Sequence, residues 1–370
     1  MFKKYILHPL LFLVTFLFTT MAGAEWITGK AFAFTGLTWN DIFRGLDYSI
    51  PFLAILTVHE FGHYFVAKYY HLKVSLPYYI PVWFFGIGPS IGTMGAFIQI
   101  KSQLNSRKEF FDVGIAGPLA GFILALGVIY YGFTHLPPVE YIYEIHPEYE
   151  QYGAAYPKYV YQDLPEGTSL SMGTNLLFEF FKHYVVEDAS LIPPPEEMIH
   201  YPILLAGFLA CFFTALNLIP VGQLDGGHIL YGLIGYKKSK VASLVFFSLF
   251  IYFAGLGLFS FHDEVAYLLI YSPLYIGFLY LVYLRTLKDP MQIVLLSVGI
   301  YTAQFLTKSF FPLLEGYQGW LLFAFIIGRF LGIYHPTARY DEPLDLKRQI
   351  IGWISLIVFV ICFSPTPFIL

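Results

Sequence analysis

A membrane-spanning helix needs about 20 mostly apolar residues, and nine runs of roughly that kind dominate this chain. They cover Tyr5–Gly23, Ile50–Tyr70, Phe110–Gly132, Pro202–Pro220, Val241–Phe261, Ala266–Tyr283, Met291–Phe311, Trp320–Tyr334 and Ile350–Phe368. Helices are the natural form for such runs, because a helix satisfies its own backbone hydrogen bonds where water is absent. Of 370 residues, 57% are hydrophobic and only 12% charged, too much apolar surface to hide in water. The expected fold class is an all-α polytopic membrane protein with about nine transmembrane helices. Disordered, collagen-like and disulfide-framework chains are excluded. The net charge of −4 offers no basic patch for nucleic acid, so the expected surroundings are the lipid bilayer. Cys211 and Cys362 fall in apolar runs on separate helices and read as buried thiols.

One apolar stretch departs from the pattern. Leu76–Ile100 is broken by Pro77, Pro81, Gly86, Gly88, Pro89, Gly92 and Gly95, so it reads as a re-entrant loop or hairpin. The N-terminal run follows Lys3-Lys4 and ends in Ala22-Gly23-Ala24, which has the form of a secretory signal. Its length favours an uncleaved first helix. With the N-terminus in the cytoplasm, nine alternating helices put 15 Lys and Arg on the cytoplasmic side, 5 outside and Arg329 within a helix. That is the positive-inside pattern. His135–Ile199 is unlike the rest, with 11 acidic residues against Lys158 and Lys182, and becomes an outer-face insert of charge −9. Within it Asn175–Val186 reads as an amphipathic helix with Thr174 as N-cap, and the remainder as loop. The expected segments are a first helix over 1–24, membrane core over 50–133 and 200–235, the acidic insert over 134–199, and C-terminal helices over 240–370.

The chemistry sits in His59-Glu60-Phe61-Gly62-His63. Residues four apart on a helix share a face, so two imidazoles at this spacing can grip one metal ion, with the Glu beside its open position. A metal held there shifts a water's pKa from near 16 towards about 7, within reach of a carboxylate base. With 11 His and 15 Glu in the chain, an accidental H-E-x-x-H arises about 1% of the time. Packed polar residues are the bland reading, but ionisable groups inside a membrane are costly and usually functional. A catalytic zinc wants three protein ligands and an open position. The candidate for the third is Asp225, in Asn217-Leu218-Ile219-Pro220-Val221-Gly222-Gln223-Leu224-Asp225-Gly226-Gly227, where helix N-capping is the rival role.

The two motifs together resemble the site-2 protease family of intramembrane zinc metalloproteases, in H-E-x-x-H on one helix and N-x-x-P-x-x-x-x-D-G on a later one. Pro77–Ile100 is similar to that family's re-entrant segment, and Gly114-Ile115-Ala116-Gly117-Pro118-Leu119-Ala120-Gly121 to its small-residue helix. The likeness covers about Ile50–Tyr231. It implies that His59, His63 and Asp225 bind one zinc per chain, that Glu60 activates the water, and that Asn217 hydrogen-bonds the unwound substrate or its oxyanion. It implies an intramembrane endopeptidase whose partners are transmembrane protein substrates. The insert lacks the alternating strands of the PDZ domain that often fills this slot in the family, so the resemblance is to a PDZ-less type. The expected location is a bacterial inner membrane, with the active site near the cytoplasmic side.

Two other readings stay open on the residues alone. Nine helices and a broken segment also suit a transporter or channel, though no paired halves are visible. A different H-E-x-x-H membrane metalloprotease, such as a prenyl-protein protease, would take a Glu as third ligand. His71 and His228 read as loop or interfacial histidines, His262-Asp263-Glu264 as a solvated turn, Arg329 as a snorkelling side chain, and Gly114, Gly117 and Gly121 as helix-packing positions. The sequence carries no signal for oligomeric state.

Overall fold

The computed structural model describes residues 2–162 and 170–369; Met1, Leu370 and the 163–169 part of the acidic insert lie outside the described residues. In chain order the elements are α1 (Phe2–Thr28), α2 (Phe32–Thr35), α3 (Trp39–Tyr69), β1 (Tyr78–Val82), β2 (Gly92–Phe97), α4 (Arg107–Thr134), α5 (Glu140–Tyr143), α6 (Tyr156–Val160), β3 (Ser171–Met172), α7 (Leu176–Tyr184), α8 (Pro202–Leu218), α9 (Asp225–Ala254), α10 (Val265–Tyr283), α11 (Pro290–Phe310), α12 (Gly319–Ile326), α13 (Leu346–Cys362) and β4 (Phe368–Ile369).

The fold is mostly helical, and among the described residues five helices are long and apolar enough to cross a membrane: Ile6–Thr28, Trp39–Tyr69, Arg107–Thr134, Val265–Tyr283 and Pro290–Phe310. Pro202–Leu218 and Gly319–Leu331 are shorter apolar helices. The chain is a multi-pass membrane protein. The expected run Val241–Phe261 is helical only as far as Ala254, as the second part of a 30-residue α9 that breaks at Gly235, where φ is +74°. The expected run Ile350–Phe368 yields only the 17-residue α13. It ends at Cys362 because Pro365 and Pro367 cannot continue a helix and bias the residues before them away from it. Two small sheets also correct the expectation of an all-α chain.

The chain divides into two compact units. The first comprises Met1–Gln103, Ala116–Leu216 and Ile357–Leu370. In it α1 packs along α3 and against the β1–β2 hairpin. A buried hydrogen bond joins Thr20 and Ser49 at 2.8 Å, and the imidazole of His8 reaches the Pro77 carbonyl at 3.1 Å. Helix α3 begins eleven residues before the expected run, at a capping box in which Thr38 and Asp41 exchange side-chain-to-backbone hydrogen bonds. The Pro- and Gly-rich stretch is an antiparallel hairpin pairing Tyr78 with Phe97 and Val82 with Gly92. Its register slips between Tyr79 and Pro81, as expected of a proline that has no N–H for the ladder. The insert is more structured than a loop. It holds α5, a 3₁₀ stretch over Pro147–Ala155, α6, β3 and α7. The N-cap of α7 is Asn175, whose side chain accepts from the Phe178 N–H at 2.9 Å, and not Thr174, which bonds Glu179. Strand β3 pairs with the distant β4. Cys211 and Cys362 are buried and free, as expected.

The second unit comprises Leu104–Ile115 and Asn217–Leu356. Here α9 packs against α11 and α12, and α10 against α11 and α12. Tyr231, Phe247, Ile251, Leu279 and Tyr283 are fully enclosed. Arg348 at the start of α13 holds Asp112 through two parallel bonds of 2.7 and 2.8 Å, and the Arg107 Nε donates to the Gly232 carbonyl at 2.9 Å.

Candidate metal centre

In the first unit, α3 presents the H-E-x-x-H residues as helical spacing requires. The Nε2 atoms of His59 and His63 lie 3.1 Å apart, and Glu60 Oε1 is 3.9 Å from His59 Nε2. All three side chains are buried. A tetrahedral zinc with bonds of 2.0–2.1 Å sets neighbouring donor atoms about 3.3–3.4 Å apart. Two imidazole nitrogens at this separation therefore fit one such ion.

The packing of α4 holds this geometry. A Cβ on Gly62 would lie 2.5 Å from the Ala116 carbonyl oxygen, and a Cβ on Gly117 would lie 2.1 Å from His63 Nε2. Small residues let the two helix backbones approach until the imidazole ring rests on bare Cα. Sequence reasoning identified Gly117 and Gly121 as packing positions but not their targets, the rings of His63 and His59. The hairpin also meets α3 close to the motif, where the Thr57 hydroxyl and the Tyr79 hydroxyl are 2.7 Å apart.

In the second unit, Asn217 is the penultimate residue of α8 and Asp225 the first of α9. The chain between them turns sharply. Gly222 takes φ of +62°, and its N–H donates to the Ile333 carbonyl at 3.0 Å. A Cβ on Gly226 would sit 2.0 Å from the Leu218 carbonyl oxygen. The D-G-G run is thus what lets α9 start against the end of α8. The residue preceding α9, Leu224, provides no side-chain cap, so Asp225 is not the N-cap of this helix. It lies in the first turn, where the helix dipole favours a negative charge. His59 and His63 in the first unit and Asp225 in the second each offer one atom that a metal ion could take.

The other singled-out residues fall away from this role. His228, in α9, has its Nδ1 2.7 Å from the Nε2 of His335. His71 is exposed just past α3 with φ of +55°. His262 and Glu264 are exposed in a turn, and Arg329 is exposed on a one-turn π-helix over Ile327–Leu331.

Comparison with known proteins bears on this centre. The family model described as peptidase family M50 matches residues 48–259, a span containing both motifs. The chain is 30% identical over 199 residues to the probable zinc metalloprotease EGY2, chloroplastic, of Oryza sativa subsp. indica, covering 52% of this chain and 30% of that protein. It is 30% identical over 184 residues to the probable zinc metalloprotease EGY1, chloroplastic, of Arabidopsis thaliana, covering 50% of this chain and 28% of the relative. The match thus spans less than a third of the length of these relatives. No solved structure matches the chain significantly.

Proposed function

This chain belongs to peptidase family M50, and from that premise we propose that it is an intramembrane zinc endopeptidase that cuts transmembrane segments of other membrane proteins. The observation that carries the reading is the buried His59–His63 pair on a helix long and apolar enough to cross a membrane, with its nitrogens at metal-sharing distance. The zinc-metalloprotease names of the relatives support the choice of metal. Membership in a peptidase family leaves the transporter and channel readings without support.

The proposed ligands are His59, His63 and Asp225, holding one zinc per chain at this centre. Zinc, when bound there, polarises a scissile carbonyl and acidifies a water. Glu60 takes the proton of the attacking water on its carboxylate and later returns it to the leaving amine. Asn217 donates from its side-chain amide to the unwound substrate or to the negative charge developing on its carbonyl oxygen. A substrate helix protects its peptide bonds with its own hydrogen bonds, so it must unwind before attack. The hairpin beside α3 offers strand-like partners to the opened segment.

The proposed core comprises residues 50–133 and 200–235, and the two shorter apolar helices, the second part of α9 and α13 complete a membrane domain of about nine spans. The basic bias of the loops supports a site near the cytoplasmic face and an extracytoplasmic insert over 134–199, in an inner membrane of bacterial type. Zinc content and cleavage of a transmembrane reporter test the reading in purified protein. His59→Ala, His63→Ala and Asp225→Ala should each lose the zinc of this centre. Full zinc occupancy in Asp225→Ala would instead favour a metalloprotease of another type, with a Glu ligand.

A further inference from the structure

A second group of metal-binding side chains lies in the first unit, outside the centre described above. His146 follows α5, while Glu197 and His200 bracket the short turn that leads into α8. The Nε2 atoms of the two histidines are 3.4 Å apart. Glu197 Oε2 lies 3.9 Å from the Nε2 of His146 and 3.7 Å from that of His200. Glu197 is 1% exposed and His200 6% exposed. That carboxylate oxygen is buried with no hydrogen-bond partner among the described residues.

The surrounding bonds fix what these three atoms can be. The His200 Nδ1 faces the Ile27 carbonyl at 3.0 Å. A carbonyl only accepts, so Nδ1 carries the hydrogen and Nε2 presents a lone pair. The His146 Nδ1 lies 3.3 Å from the Glu148 carboxylate, which draws the hydrogen to that side and again leaves Nε2 as an acceptor. The other Glu197 oxygen accepts from the Tyr161 hydroxyl. Three acceptors thus converge with no hydrogen among them, an arrangement that calls for a cation. Carbonyl and carboxylate partners on the far nitrogens are the orienting contacts that metal-bound imidazoles ordinarily make. The observed edges of 3.4, 3.7 and 3.9 Å are each within about 0.6 Å of those around a tetrahedral zinc.

We propose that His146, Glu197 and His200 form a second metal site, selective for a zinc-class divalent cation, that ties the acidic insert to the C-terminal end of α1 and to the start of α8. Two imidazoles and one carboxylate suit a borderline ion and disfavour calcium or magnesium, which take oxygen ligands. Tyr161 is a positioning residue that steers the carboxylate.

The test uses the full chain in detergent, equilibrated with zinc and then desalted, with metal content read by mass spectrometry. Four proteins are compared: the natural chain, Glu197→Gln with His146→Gln, His59→Ala with His63→Ala, and all four changes together. The insert variant should lose one equivalent and the quadruple variant all tightly held zinc. The His59/His63 variant should retain one equivalent, and its cobalt(II) complex should show ligand-field absorption that Glu197→Gln abolishes. Zinc should also raise the Tm of the His59/His63 variant and not that of the quadruple variant. An insert variant with the natural zinc content would overturn the proposal, and a proton shared among the three groups would then be the cation. If the His59/His63 variant keeps the natural zinc content while the insert variant loses one equivalent, the second site stands and the first assignment fails.

Discussion

Replacing Gly117 by alanine puts one methyl group against the ring of His63. The new Cβ would lie 2.1 Å from Nε2, 2.5 Å from Cδ2 and 2.6 Å from Cε1, whereas ordinary contact begins near 3.4 Å. The ring, or the helix bearing it, must therefore move by more than 1 Å, and it is the proposed ligand atom that is struck first. The local helix is not weakened, since alanine is better than glycine in a helix interior by about 1 kcal/mol. A misplacement of about 1 Å at a reacting centre costs on the order of 10²-fold in rate, equivalent to about 2.7 kcal/mol of barrier. The series is graded by the same geometry. At Gly121 the nearest atoms are His59 Cβ at 3.1 Å and Nδ1 at 3.4 Å, and at Gly127 nothing lies within 4 Å. Gly121→Ala should therefore slow cleavage only severalfold, and Gly127→Ala not at all. The assay is cleavage of a fluorescent transmembrane reporter in micelles with zinc supplied, alongside zinc content and Tm. Wild-type cleavage and zinc retention in Gly117→Ala, or equal losses at all three positions, would refute the argument that α4 seats the imidazole.

Other expectations follow from single contacts. Glu60→Gln should keep zinc, because Glu60 is not a proposed ligand, and should cleave about 10²–10⁴-fold more slowly; an unchanged rate would assign the base to another residue. Thr38→Ala removes the N-cap that accepts from the Asp41 N–H at 3.2 Å, and should lower stability by about 1 kcal/mol, read as a lower Tm. Arg348→Ala breaks the paired bonds to Asp112 at 2.7 and 2.8 Å; partial exposure limits the loss to about 1 kcal/mol, and an unchanged Tm would show the pair to be without weight. Single cysteines at Lys238 and Ser190, both exposed, report topology in a background lacking Cys211 and Cys362. An impermeant thiol reagent applied to intact cells should reach only position 190; labelling at 238 alone would invert the proposed orientation.

The parts of this fold visible in sequence were those governed by local chemistry. The helical spacing of His59 and His63 is local, and the structure gives the shared face it implies. Thr38-Trp39-Asn40-Asp41 was also a readable capping signal, but the polar residues Asp41, Arg44 and Asp47 masked the start of α3 when apolar runs alone were followed. Pro and Gly showed that Leu76–Ile100 could not be a helix, whereas the register of its hairpin depends on packing against α1. The pairing of Ser171 with Ile369 joins residues 198 apart and leaves no local trace. The His146, Glu197 and His200 cluster was missed for the same reason, although the Glu-x-x-His spacing of its second half was there to be read. Asp225 was singled out for its setting after Pro220 and before two glycines. The close approach at Gly226 explains why those residues accompany it.

The most direct measurement is the mass of the products formed when purified chain meets a reconstituted transmembrane substrate, before and after zinc is removed by a chelator and restored. The account predicts a cut within the apolar segment, lost on chelation, recovered with zinc, and abolished by Glu60→Gln. Cleavage confined to water-exposed parts of the substrate, or cleavage that survives both chelation and Glu60→Gln, would contradict it.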